Sequence, residues 1–165
     1  MKIGVLSDSH GRAPITARAV ATLLAAGADT LVHLGDVGTE EVLDELVGHD
    51  AHVVFGNCDW DSRALARYAS GAGIAVDDPI GEIRVGEKRV VFTHGHLSRL
   101  MQEAVNEGVD YLLHGHTHEL RDERVGATRV INPGALFRAA RYTVVVLDPE
   151  KDEVTVLVVA PSEGA

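Results

Sequence analysis

A single cysteine, Cys58, stands in the 165 residues, so an internal disulfide is excluded and a reducing compartment is the expected setting. No apolar run approaches the roughly 20 residues that a membrane-spanning helix needs. Met1 and Lys2 lead straight into Ile3-Gly4-Val5-Leu6, without a signal-peptide apolar segment or a small-residue cleavage site, and the expectation is a cytoplasmic protein. Basic residues are scarce. Fifteen Lys and Arg against 25 Asp and Glu leave a net charge of −10, which disfavours the basic face that extended DNA or RNA requires. A Gly-rich loop ending in Lys-Ser/Thr is missing, which excludes a nucleotide P-loop, and no cluster of thiolates could hold a structural zinc. Linkers, internal repeats and low-complexity stretches are also lacking, which at this length points to one domain over residues 1–165.

What is present is a core-forming share of apolar residues, 45%, and nine histidines. Imidazole is the commonest metal-ligating side chain. Bound divalent cations would also reverse the local field for a small anionic substrate, whatever the total charge.

Along the chain, short β-type runs alternate with helical patterns. Residues 2–7, 30–34 and 52–55 read as strands. Residues 14–26 read as a helix with Pro14 in its first turn and Gly27 after it. A second helix is expected from a Thr39 cap to Val47, with Glu40 and Glu41 in its first turn and Gly48 as its stop. This β-α-β-α-β order implies parallel strands joined by right-handed crossovers. Further on, helices are expected at 61–68 and 97–106 and strands at 83–85, 89–93, 111–114, 129–131, 142–147 and 154–160. The whole reads as α/β, parallel in its first half and antiparallel in its second, with a tail, 161–165, expected to fray.

Five of these runs end alike, in a residue able to bind metal: Asp8-Ser9-His10, Gly35-Asp36, Gly56-Asn57-Cys58-Asp59, Thr93-His94-Gly95-His96 and Gly115-His116-Thr117-His118. In open α/β sheets, ligands bind beyond the carboxyl ends of strands, so these segments would gather carboxylates, an amide and imidazoles at one edge. Each segment alone is an ordinary turn or helix cap; the five together, in this order, are not. Carboxylate with imidazole suits first-row divalent ions such as Mn²⁺, Fe²⁺ or Zn²⁺.

The series resembles the calcineurin-like metallophosphoesterase superfamily, whose motifs run Asp-x-His, Gly-Asp, Gly-Asn-His-Asp/Glu, a later His, and Gly-His-x-His. With Asn132-Pro133-Gly134 after a strand, it looks most like the small YfcE-type phosphodiesterases. The resemblance spans essentially the whole chain. It implies a four-layer α-β-β-α sandwich, two mixed β-sheets flanked by helices, and a hydrolase with a dinuclear site. Asp8, His10, Asp36 and His118 would hold one ion; Asp36, Asn57, His94 and His116 the other, with Asp36 bridging. The ions would be manganese first, with iron, zinc, nickel or cobalt as alternatives. A hydroxide bridging them would attack a small phosphodiester substrate in line with the leaving oxygen. A phosphomonoesterase on the same site and a non-catalytic scaffold like the retromer subunit of this fold are the competing readings. Seven intact ligand positions argue against the scaffold. Members of the group suggest a homodimer or homotetramer.

The sequence departs from the superfamily at Cys58, where His usually follows the Asn ligand. A thiol is a weaker donor and carries no charge when protonated, so good leaving groups such as aryl esters are expected to be favoured. Asp59 would ordinarily orient that missing His. His96 is a candidate to touch substrate. Asp36, Asn57, Cys58, Asp59 and His96 make up the expected catalytic set. Arg12, Arg138 and Arg141 could neutralise charge near the cleft. Ala135 replaces the Ser that commonly follows Asn-Pro-Gly. His33, His49, His52 and His114 are expected to be structural or exposed.

Overall fold

The computed structural model describes residues 1–161, so the expected fraying of 162–165 lies outside the described residues. Two sheets lie face to face between helices. Among the described residues the first holds six strands and the second five. In the first sheet, β1 (Ile3–Leu6), β2 (Thr30–His33), β3 (Ala51–Val53) and β4 (Ala75–Val76) run parallel. β10 (Thr143–Asp148) pairs antiparallel with β1, and β11 (Glu153–Val158) pairs antiparallel with β10 at the sheet edge. The parallel strands are linked by α1 (Ala13–Ala25), α2 (Glu40–Asp44) and α3 (Ser62–Gly71).

Strand periodicity builds the layers. Ile3 and Val5 point inward with Val32, Leu34 and Val54, and meet Val90, Phe92, Tyr111, Leu113 and Ile131 of the second sheet. Leu6, Leu31 and Val53 point to the other face, where Ile15, Ala19 and Leu23 of α1 cover them. On the far side of the second sheet, Val91, Leu112 and Val130 pack against Ala104 and Met101 of α4 (Ser98–Glu107). That helix stops at Gly108, which takes the left-handed conformation at φ 70°. The four layers expected from the resemblance are therefore present. No helix among the described residues is long and apolar enough to cross a membrane.

The second half differs from its expected antiparallel pattern. β6 (Lys88–Thr93), β7 (Tyr111–Leu113) and β9 (Thr128–Pro133) run parallel. In this sheet only the edge strands β5 (Ile80–Val85) and β8 (Leu120–Val125) are antiparallel to their neighbours, while β10 and β11 of the first sheet form the expected antiparallel hairpin. The reason is α4, which carries the chain over from β6 and so forces β7 to run the same way. α2 is also shorter than expected. After Asp44 the chain continues in tighter turns, with Leu46 and Val47 donating to the carbonyls three residues back, and Thr39 makes no side-chain capping bond.

Candidate metal centre

Asp8, Asp36 and Asn57 follow β1, β2 and β3, while His94, His116 and His118 follow β6 and β7. The ends of five strands from both sheets thus converge on one place. Asp8, Asp36 and His94 are buried, at 0, 3 and 1% exposure.

Asp8 directs one oxygen into the protein and one outward. Its Oδ2 accepts from Ser7 Oγ at 2.6 Å and from the His116 amide at 3.1 Å. Its Oδ1 is buried and accepts nothing, yet His118 Nε2 lies 3.3 Å away and His10 Nε2 3.8 Å. His10 Nε2 is likewise buried without a partner, 3.5 Å from Asp36 Oδ2. On the other side, His94 Nδ1 lies 2.7 Å from the Leu34 carbonyl, so that nitrogen carries the proton. Its Nε2 then faces two oxygens, Asp36 Oδ2 at 3.3 Å and Asn57 Oδ1 at 3.2 Å; burial opposes charge on the ring, but the Asp36 carboxylate raises its pKa, so this nitrogen and the oxygens beside it favour a positive charge between them, proton or metal. Carboxylate oxygens and ring nitrogens that converge on one space, with Asp8 Oδ1 and His10 Nε2 buried there without a partner, mark a cation site. A pair of carboxylates, an amide oxygen and imidazoles fit a divalent first-row ion.

Three groups of three donors have all their atoms within 4.8 Å: Asp8-His10-His118, Asp8-Asp36-His94 and His10-Asp36-Cys58. Asn57 joins through His94. The His116 ring stands edge-on to His94, with centroids 5.2 Å apart. All seven expected ligands are therefore neighbours, and His96 adjoins them, its ring 5.3 Å from His94. The Nδ1 of His96 is buried without a partner, and burial followed by the nearby His94 and His116 pushes its pKa down.

Electrostatics agree with the geometry. Burial alone would raise the pKa of Asp36. The bond and charge of His94, the Cys58 amide at 2.9 Å and the His10 charge outweigh it and hold Asp36 far below the usual carboxylate range. Asp8 is depressed in the same way, by His10, Ser7, His94 and His118 against its burial. Cys58 moves the other way. Its partial burial and then the Asp36 charge raise the thiol, which stays protonated at neutral pH.

The backbone is bent to make this approach. Asp8, His10, Asp36, His116 and His118 have φ of 56°, 45°, 51°, 73° and 61°, in the left-handed region that ordinary side chains avoid. Two glycines remove obstructions. A Cβ on Gly56 would stand 2.1 Å from Asp36 Oδ1, and one on Gly115 would stand 2.0 Å from Ser7 Oγ.

Asp59, expected among the catalytic residues, is committed elsewhere. Its buried carboxylate accepts from the amides of Val37, Gly38 and Gly56 at 2.9–3.2 Å. It ties the Asp36 loop to the Asn57 loop. Two further positioning residues lie beyond the expected set. His33, wholly buried, bonds Ser9 Oγ through Nε2 at 2.7 Å and accepts the Gly35 amide through Nδ1 at 3.1 Å. Burial holds its pKa down to about 4, so the ring is neutral. Asn132 donates to the Gly115 carbonyl and Thr117 Oγ1 and accepts from the Gly134 amide, fixing the loop that carries His116 and His118. The Asn-Pro-Gly run after a strand was the signal for Asn132; nothing local marked His33. His114, expected to be structural or exposed, is buried, with Nδ1 on the Gly115 carbonyl and Nε2 accepting from Arg121.

Comparison with known proteins agrees with this geometry. The family model for the calcineurin-like phosphoesterase superfamily domain matches residues 1–152. Phosphodiesterase MJ0936 of Methanocaldococcus jannaschii is 30% identical over 160 residues, covering 93% of this chain and 96% of that protein. Phosphodiesterase YfcE of Escherichia coli is 31% identical over 152 residues, 82% and 79% of the two chains. The solved structure of an archaeal phosphodiesterase superposes with a TM-score of 0.86 at 28% identity, covering 96% of this chain and 99% of that one.

Proposed function

The chain belongs to the calcineurin-like phosphoesterase superfamily, and from that footing we propose that it is a metal-dependent phosphodiesterase acting on small phosphodiesters at a dinuclear site. The observation that carries this reading is the His94 ring. Its Nδ1 is spent on Leu34, and its Nε2 faces oxygens of Asp36 and Asn57. The unpartnered Asp8 Oδ1 and His10 Nε2 support a second cation beside it.

Asp8, His10, Asp36 and His118 would hold one ion, and Asp36, Asn57, His94 and His116 the other, with manganese the first candidate. Two such ions, when bound, would supply Lewis-acid chemistry, acidifying water and neutralising charge on the phosphoryl oxygens. The chain's own part is to hold these donors rigid. Leu34 fixes the His94 tautomer, the Cys58 amide fixes Asp36, and Ser7 with the His116 amide fixes Asp8. Cys58, protonated, and His96, neutral with an unpaired nitrogen, are the groups available to meet the leaving oxygen. The products are a phosphomonoester and an alcohol. A cytoplasmic setting fits the free thiol of Cys58.

The test is hydrolysis of bis(p-nitrophenyl) phosphate by chelator-stripped protein on adding Mn²⁺, beside Asp36→Asn. Turnover that appears with the metal and is absent in the variant is the expected result. Faster release from p-nitrophenyl phosphate than from the diester would move the assignment to a monoesterase. A folded protein inactive with every divalent ion would favour a scaffold.

A further inference from the structure

A groove of about 610 Å³ opens beside His118. It is lined by Leu120 of the edge strand β8 and by Val156 and Val158 of the edge strand β11. These three aliphatic side chains are 50, 42 and 58% exposed, more than burial in a core would leave them. Segment 138–141 lines the groove as well and brings two guanidinium groups, those of Arg138 and Arg141.

The two arginines differ from half of the twelve in this chain. Arg84, Arg89, Arg99, Arg121, Arg124 and Arg129 are each paired with a carboxylate. Arg138 and Arg141 have no such partner among the described residues, although the chain carries a net charge of −10. Arg138 is also held in place. Its backbone sits at φ 48°, and its guanidinium lies 5.1 Å above the Phe137 ring, which in turn stands 4.9 Å from His10. Glu119 is the one acidic side chain of the lining among the described residues, so an anion in the groove would keep to the arginine wall. Guanidinium is the cation best matched to phosphate, through paired N–H donors. The volume lies in the range of small-molecule sites, well beyond what a methyl or ethyl ester fills.

We propose that this groove is the subsite for one ester arm of the substrate, and that this arm carries a second phosphate, bound by Arg138 and Arg141. The body of the arm lies on Leu120, Val156 and Val158. The substrate class is then a phosphodiester in which one esterified alcohol bears a further phosphate monoester. This rests on the phosphodiesterase reading, because the reacting phosphorus is taken to lie at the metal ligands next to the groove.

The experiment uses two substrates that differ only in the second phosphate: thymidine 5′-(p-nitrophenyl phosphate) with and without a 3′-phosphate. Wild-type protein loaded with Mn²⁺ is expected to prefer the 3′-phosphorylated compound by roughly tenfold or more in kcat/KM, mainly through KM, as charge-assisted hydrogen bonds imply. Arg138→Gln combined with Arg141→Gln is expected to bring the ratio near one. A wild-type ratio near or below one, or a preference that survives in the double variant, overturns the proposal. Binding of thymidine 3′,5′-bisphosphate to chelator-stripped protein, followed by calorimetry, separates the two readings. If neither compound is hydrolysed but the bisphosphate binds and the double variant loses that binding, the groove stands and the diesterase reading fails. If diesters are hydrolysed and the bisphosphate binds both proteins alike, the groove assignment fails alone.

Discussion

His94 Nε2 lies 3.3 Å from Asp36 Oδ2, and the two side chains reach each other from opposite sheets. Asp36 also faces His10, at 3.5 Å, so one carboxylate lies between the two groups of donors. Its replacement should therefore weaken both cation sites together. Asp36→Asn keeps the shape and the oxygen that accepts from the Cys58 amide, and should fold normally. Titration with Mn²⁺ should show both affinities reduced by about a hundredfold or more, the upper end for a disturbed ligand sphere. One site lost and the other intact would mean that Asp36 is not shared.

The protonated thiol of Cys58 leads to a second expectation. An imidazole there is a stronger donor and can carry a proton to a departing alkoxide. Cys58→His should raise the rate on alkyl esters relative to aryl esters by at least about tenfold, a modest share of what general acids contribute. The rates of p-nitrophenyl and methyl diesters, compared in both proteins, check this. An unchanged ratio would show that position 58 does not meet the leaving group.

The buried neutral ring of His33 makes stability depend on acid. Its pKa is about 4 when folded, against 6.5 as the reference value. Between these values the unfolded chain binds the extra proton. The contribution of His33 is therefore complete above about pH 6.5 and is lost as the pH falls toward 4. From pH 7.5 to 4.5 the loss is about 2–3 kcal/mol. Urea unfolding of chelator-stripped wild type and His33→Gln at the two pH values should differ in slope by that amount. Parallel behaviour of the two proteins would count against a neutral buried ring.

His116 separates strain from function. At φ 73° an alanine suffers the left-handed clash and a glycine does not. His116→Gly and His116→Ala both remove the imidazole, yet the glycine variant should be the more stable by about 1 kcal/mol in chelator. Equal denaturation midpoints would show that the backbone relaxes at this position.

The strands that bear ligands were legible because each is a compact apolar run cut off by a polar residue, as at Leu6-Ser7-Asp8 and Leu113-His114-Gly115. β8 was not legible. Its residues, Leu-Arg-Asp-Glu-Arg-Val, lie at a sheet edge and are mostly exposed, so no apolar alternation marks them. β4 is two residues long and carries no pattern. The parallel pairing of β6 with β7 follows from the α4 crossover, which the helical pattern at 97–106 between two apolar runs already displayed; the parallel pairing of β7 with β9 depends on β8 lying outside β9, which local residue order does not display. At the site, the residue types announced which side chains would converge. Their supports were hidden, because Asp59 and His33 act through backbone amides that any residue would offer.

Donors drawn from both sheets also make the centre a fastener. The His116 amide and the Asp8 carboxylate are 108 residues apart in the chain, and His94 faces Asp36 across the same seam. An occupied centre closes large loops in a chain whose single cysteine can close none, much as a disulfide would. Parting the sheets would first require release of the ions. How long the protein survives proteases would then follow the supply of divalent metal, independently of any substrate it turns over.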